Sequence, residues 1–315
     1  MLTLQNRLVG RIGWVGLLVP LVAGCGAPPQ ARQTLRMRDL GTPAARKAAA
    51  SDFWMRANVP DLRGLGYKRI AIAEFVVEFV TQKRELTADL DEYRRAHPEA
   101  QQRAGGAVQN VTVSYPNEYD YPAALYKLCC NELKRRGFEV LPMEVVAAAS
   151  AYRRFETETD DLIEVKDAYS SGSDTGRVRK LSVRALPGLA IIRGGGDQDV
   201  ESIEEALRQE LKADVLLRVR VRLGTFSGHA TLERGSVVRV TAPHVSGTIS
   251  AERSLVSEES VIAEGQPGGG GWQVRVNLPK YQAAVTAMFP VYIEMAFDSA
   301  DVAPRPAGQP APRKS

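Results

Sequence analysis

The stretch from Arg69 to Val80 constrains this chain more than any other. It reads Arg69-Ile-Ala-Ile-Ala-Glu-Phe75 and continues through Val76, Val77, Phe79 and Val80. Such an apolar, partly β-branched run lacks the clean alternation of a strand with one wet face. It reads as a largely buried strand, of the kind that needs other elements packed over it.

Helical periodicity follows. Tyr121, Ala124, Leu125, Leu128 and Cys129 share one face, extended by Leu133, and Lys134, Arg135 and Arg136 precede a stop at Gly137. Phe138 to Leu141 is a short strand ending at Pro142, and Met143 to Ser150 a short helix. Leu186 to Ile192 is again apolar. Asp199 can cap a helix from Val200 to Leu211 that buries Val200, Ile203, Leu207 and Leu211. From Val215, the residues Leu217, Val219, Val221 and Leu223 alternate with Arg218, Arg220 and Arg222, predicting a strand with one wet face. Further strands are expected over Leu232–Val240, Val245–Leu255 and Trp272–Leu278. A last helix is expected over Tyr281–Phe297, kinked or divided by Pro290. Two polar insertions interrupt the order, near residues 81–119, with a helical patch at Leu86–Ala96, and near 152–180. The pattern implies an α/β (or α+β) fold, a central mixed sheet with helices packed on it, forming one main domain over residues 61–298.

The two ends have another character. Arg7 and Arg11 form a basic region, and Ile12–Ala23 is almost wholly apolar but shorter than the roughly 20 residues of a membrane span. Charge, short apolar core and small residues are the order of a secretory signal, here residues 1–24. Residues 25–60 are rich in Ala, Arg, Pro and Gln at their start and read as a flexible tether. Residues 299–315, with Pro304, Pro306, Pro310 and Pro312, read as a disordered tail.

The sequence Leu21-Val22-Ala23-Gly24-Cys25 resembles the lipobox of bacterial lipoproteins. The resemblance implies that Cys25 carries a thioether-linked diacylglycerol and becomes the first residue of the mature chain. It also implies a palmitate-bearing membrane anchor. Gly26 stands where an Asp would retain a lipoprotein in the inner membrane under enteric-type sorting, which favours the outer membrane, facing the periplasm. Two or three acyl chains hold a protein firmly where one holds it marginally.

Removing residues 1–24 takes away two of the 41 Lys and Arg and none of the 37 Asp and Glu, lowering the net charge from +4 to +2. A balance so close to neutral gives no argument for nucleic acid. Cys129 and Cys130 are neighbours, which builds no disulfide framework and lacks the C-x-x-C spacing of redox or metal sites.

The remaining motifs carry little chemistry. His97, His229 and His244 are too scattered for a metal site, and no G-x-S-x-G elbow occurs. Gly194-Gly195-Gly196 precedes a helix but lacks the Walker and Rossmann patterns. Asp197, Asp199 and Glu201 echo a calcium loop, yet Ser202 stands at the turn glycine and Arg208 at the bidentate Glu. The acidic run Phe155–Glu164, with Asp167 beyond it, is either a solvated loop or a source of paired carboxylates for glycan hydrolysis. Arg218, Arg220 and Arg222, about 7 Å apart on one strand face, form either an ordinary solvated face or a docking stripe for an acidic partner or anionic glycan. No residue pattern calls for a cofactor or a metal.

Three segments together resemble a known family. They are Arg69-Ile-Ala-Ile-Ala-Glu-Phe75, Leu133-Lys-Arg-Arg-Gly-Phe-Glu-Val-Leu141 and Ala206-Leu-Arg-Gln-Glu-Leu-Lys-Ala-Asp-Val-Leu-Leu217. They are similar to the first three strands of the CsgG-like and TolB N-terminal-like periplasmic lipoproteins. That group includes curli-secretion, exopolysaccharide and peptidoglycan-synthase-activating lipoproteins. The insertions and the Gly-rich loop Gly265–Gly271 depart from the family pattern. The resemblance implies a non-enzymatic accessory for assembly or secretion at the outer membrane, with an envelope protein or anionic polymer as partner. An envelope hydrolase is the alternative. Oligomeric state is left open. A channel-forming version would require strands of about 9–11 residues that close into a barrel; Val215–Leu223 and Leu232–Val240 approach that length.

Overall fold

The computed structural model describes residues 34–298, apart from 58, 60, 61, 63, 87–107, 159–161, 165–177, 194–198 and 269–270. The expected signal, Cys25, the helical patch beyond Leu86 and the tail therefore lie outside the described residues.

In chain order the first elements are β1 (Thr34–Arg36), α1 (Pro43–Phe53), β2 (Trp54–Ala57), β3 (Arg69–Leu86) and β4 (Val108–Ser114). Next come α2 (Tyr121–Arg135), β5 (Glu139–Val140), α3 (Met143–Ala148), β6 (Thr157–Glu158), β7 (Leu162–Glu164), β8 (Val178–Ala185) and β9 (Ile191–Ile192). The rest are α4 (Val200–Glu210), β10 (Val215–Phe226), β11 (His229–Leu232), β12 (Val237–Ala242), β13 (Val245–Ala251), β14 (Ser254–Ser260), β15 (Ile262–Gly268), β16 (Gly271–Val276) and α5 (Leu278–Asp298).

Among the described residues, fourteen strands form one mixed sheet, and β6 and β9 form a separate pair. The apolar run seen in the sequence is the middle of it. Strand β3 pairs in parallel with β10 from Ile70 to Phe79. Its other edge holds β5 in parallel and then β8 antiparallel. Beyond Thr81 it continues into an antiparallel pair with β4. Strand β10 likewise gives its far edge first to β12 and then to β11, so the sheet forks on both sides of its centre. The α/β architecture expected from the sequence is present.

Each face of β3 and β10 is covered. Phe75, Val77, Phe79, Leu217, Val219, Val221 and Leu223 face the main core, where Phe75 meets Tyr126 of α2 and Phe289 of α5 edge-on. The opposite face lies under α4, β9 and Tyr152. Helix α4 starts as its sequence predicts, with the Asp199 side chain accepting from the Ser202 N–H at 3.1 Å, and it buries Ile203 and Leu207. Helix α2 ends at Gly137, whose φ of 86° lets the Phe138 N–H return to the Leu133 carbonyl at 3.1 Å. Pro290 sits inside α5 without dividing it.

Four expectations are corrected. The tether drawn over residues 25–60 ends by Thr34. From there the chain adds β1 to β14, packs α1 on α5 and adds β2 to β13, with Leu40, Ala50, Phe53 and Trp54 buried. The expected strand Leu232–Val240 is two strands, β11 and β12, because Glu233-Arg234-Gly235 makes a turn at Gly235 (φ 87°). Val245–Leu255 divides in the same way, and Gly265–Gly271 is largely a paired hairpin rather than a loop. Gly271 is required there: a Cβ would run into the carbonyl oxygen of Asn110 on the adjoining strand.

Asp214 ties the starts of the two central strands together. Its Oδ2 accepts from the N–H groups of Lys68 at 2.7 Å and Arg69 at 2.8 Å. Partial burial alone would raise its pKa, but those donors, with Arg208 and Arg69 nearby, hold it below the ordinary Asp value of 3.8. A depressed carboxyl contributes stability that is present above the unfolded pKa and lost as pH falls through the folded one. Asp214→Asn should therefore flatten the decline in unfolding free energy expected of the parent protein below about pH 4. Denaturant titrations from pH 6 to 2 check this, and parallel curves would show that Asp214 contributes nothing to the acid limb.

Candidate functional site

The arginine stripe is where the structure departs most from its sequence reading. Alternation does place Arg218, Arg220 and Arg222 on one face of β10, but that face is covered rather than wet. Arg218 and Arg222 are each only 9% exposed, and Arg220 is half-buried. The cause is in the strand alongside. The β10–β3 register sets Arg218 opposite Glu74 and Arg222 opposite Glu78.

A continuous charged layer results. Arg218 donates to Glu74 at 2.8 Å, to Glu204 of α4 at 3.0 Å and to the Ile192 carbonyl at 3.1 Å. Arg220 donates to Glu74 at 2.6 Å and to the same carbonyl at 2.7 Å. The Ile192 N–H donates to Glu74, so this carboxylate is held from three sides. Glu204 also accepts from Arg239 and from the Thr241 hydroxyl at 2.7 Å, and Arg239 reaches Glu201 at the edge. Further along, Arg222 makes two hydrogen bonds to Glu78 Oε2, at 2.9 and 2.7 Å. At the fork, Glu233 lies 3.5 Å from Lys83 and accepts from Thr231 and Ser254. Its carboxylate occupies the space where a Cβ on Gly224 would stand. Lys83 in turn sits over the Phe226 ring, 5.8 Å from its centre.

Chemically this layer fixes register. Glu74 and Glu204 have 1% and 0% of their side chains exposed, so they are sealed from any substrate. Their guanidinium partners supply the hydrogen bonds that a buried carboxylate requires. The partner-binding role expected for the three arginines required exposed charge, and their burial removes that basis. The missed partners had a signal: Glu74 and Glu78 are the two acids inside the apolar run, on one face and four apart, as Arg218 and Arg222 are.

The other candidates scatter. Asp199 is a helix cap, His244 is a turn residue with φ 62°, and His97 and Gly194–Gly196 lie outside the described residues. In the acidic run Phe155 is buried against Tyr152, Glu156 is exposed and Glu158 pairs with Arg193 at 3.3 Å, while Asp160, Asp161 and Asp167 are outside the described residues. Burial raises the pKa of the Cys129 thiol, and chiefly burial that of Cys130, so neither is a ready thiolate. Among the described residues, no group of three or more His, Cys, Asp or Glu is placed to hold a metal ion, and no helix is long and apolar enough to cross a membrane.

One feature of the layout does concern surface. The strand ends that bracket residues 87–107 and 165–177 lie at the same end of β3. The β3–β4 connection leaves at Leu86 and returns at Val108, while Val178, where β8 begins, is level with Lys83. The β15–β16 hairpin turns there too, since Gly271 pairs with Asn110 and Asn110 with Arg84. The strand ends that these three connections join thus lie together at the Lys83–Leu86 end of β3, away from α4. The chain matches no known family profile, no curated protein and no solved structure.

Proposed function

We propose that this chain is a lipid-anchored accessory of the bacterial envelope, held at the outer membrane through Cys25 and acting by binding rather than by catalysis. The observation that carries the binding reading is the meeting, at one end of β3, of the strand ends that three connections join. Hairpin connections on a rigid sheet are where recognition residues concentrate in many folds. The lipobox-like Leu21–Cys25 supports the anchor, and an envelope protein or anionic polymer is the partner class.

Two measurements test this. Expressed with its signal in a Gram-negative host, the protein should take up labelled palmitate and fractionate with membranes, and Cys25→Ala should lose the label. Label retained by the variant would remove the anchor. Envelope partners should co-purify with the parent protein and be lost when residues 88–106 are replaced by a short Gly/Ser link. Equal capture by both would remove the hairpin end from consideration. Charge reversal of Arg218, Arg220 and Arg222 is unsuitable as a surface test, because it would break the internal layer.

A further inference from the structure

The folded structure begins far closer to Cys25 than composition implied. Thr34 already pairs with Ser254, Leu35 with Leu255 and Arg36 with Val256. The following turn is secured at once. The Arg38 N–H donates to Glu258 at 2.7 Å, Leu40 is 2% exposed, and Arg46 bonds both the Leu40 carbonyl and Glu294. The arm from Thr34 to Ala57 is thus part of the sheet and its helix layer, and it offers no slack.

Nine steps of chain separate Cys25 from Thr34. Even fully extended, they reach no more than about 30 Å. We infer that the domain works against the membrane surface, its first strand held within that distance of the lipid, and that its partner is itself membrane-attached or membrane-embedded. A tether running to residue 60 would have reached about 120 Å and allowed partners deep in the periplasm. This inference rests on lipidation of Cys25.

The test uses the full chain, isolated from membranes with its lipid. The mass of the N-terminal peptide establishes the modification independently. A donor dye is placed on Asp39→Cys, an exposed position just past β1, in a Cys130→Ser background. The protein is reconstituted into phosphatidylethanolamine/phosphatidylglycerol vesicles carrying a headgroup acceptor. Energy transfer should be strong. Inserting 40 Gly/Ser residues between Gln33 and Thr34 should lower it at least twofold, since a flexible chain of that length extends on the order of 35 Å. The same insertion should lower cross-linking to a membrane partner. Transfer unchanged by the insertion would show that a surface contact positions the domain, and would overturn the inference. An unmodified N-terminal peptide would instead overturn the lipid anchor itself, and the distance limit with it.

Discussion

Arg218→Met should destabilise the protein by about 3–5 kcal/mol, the range for breaking a buried ion pair from one side. Methionine keeps the length and most of the packing but removes all three guanidinium hydrogen bonds. Glu74 and Glu204 then remain sealed under α4 and β9 with less compensation. The control is Arg193→Met, whose pair with Glu158 is exposed at 54% and 36% of the two side chains. Exposed pairs of that kind are worth about 0–1 kcal/mol. Urea unfolding of the two variants should separate them clearly. A loss below about 1 kcal/mol for Arg218→Met would mean that water reaches the layer and solvates the orphaned carboxylates.

Phe53→Ala should cost about 3–5 kcal/mol. Phe53 ends α1 fully buried, edge-on to Trp54 at 5.4 Å and to Tyr292 of α5 at 5.6 Å. The same substitution in a flexible tether would stay within about 0.5 kcal/mol. Equilibrium unfolding therefore decides between a packed arm and a tether, and a near-neutral result would refute the packing of α1 on α5.

The sequence was legible where a side chain's period and its end signals agree. Strand β3, the stop of α2 at Gly137, the Asp199 cap and the alternation of β10 all follow from local rules. What period cannot say is what covers a face. Arginines at every second position look alike whether they meet water or a strand 144 residues away, the separation between Arg218 and Glu74. The arm was missed for a different reason. Its alanines and basic residues dilute the composition, and among its described side chains Leu40, Phe53 and Trp54 are the only large ones that are buried. Thr42-Pro43 was the local signal, since the Thr42 hydroxyl accepts from the Ala45 N–H at 3.1 Å and proline opens the helix. The turn at Glu233-Arg234-Gly235 was readable too, but apolar residues on both sides masked the break.

The packed arm also sets an order of events. Its contacts lie at the far end of the chain: the Arg38 amide and the Glu258 carboxylate that receives it are 220 residues apart. Strand β2 similarly waits for β13. In a chain exported N-terminus first, the arm crosses the membrane first and is secured last, after β14 has emerged. Contacts so distant in sequence form slowly, because a long loop must close before they reward it. Until then residues 34–57 would lack their strand partners, and the proposed modification of Cys25 would meet no obstruction from the domain. On the proposed lipidation of Cys25, locking the arm afterwards would moor the domain close to its lipid, and the same strand pairing would then time maturation of the anchor and completion of the fold.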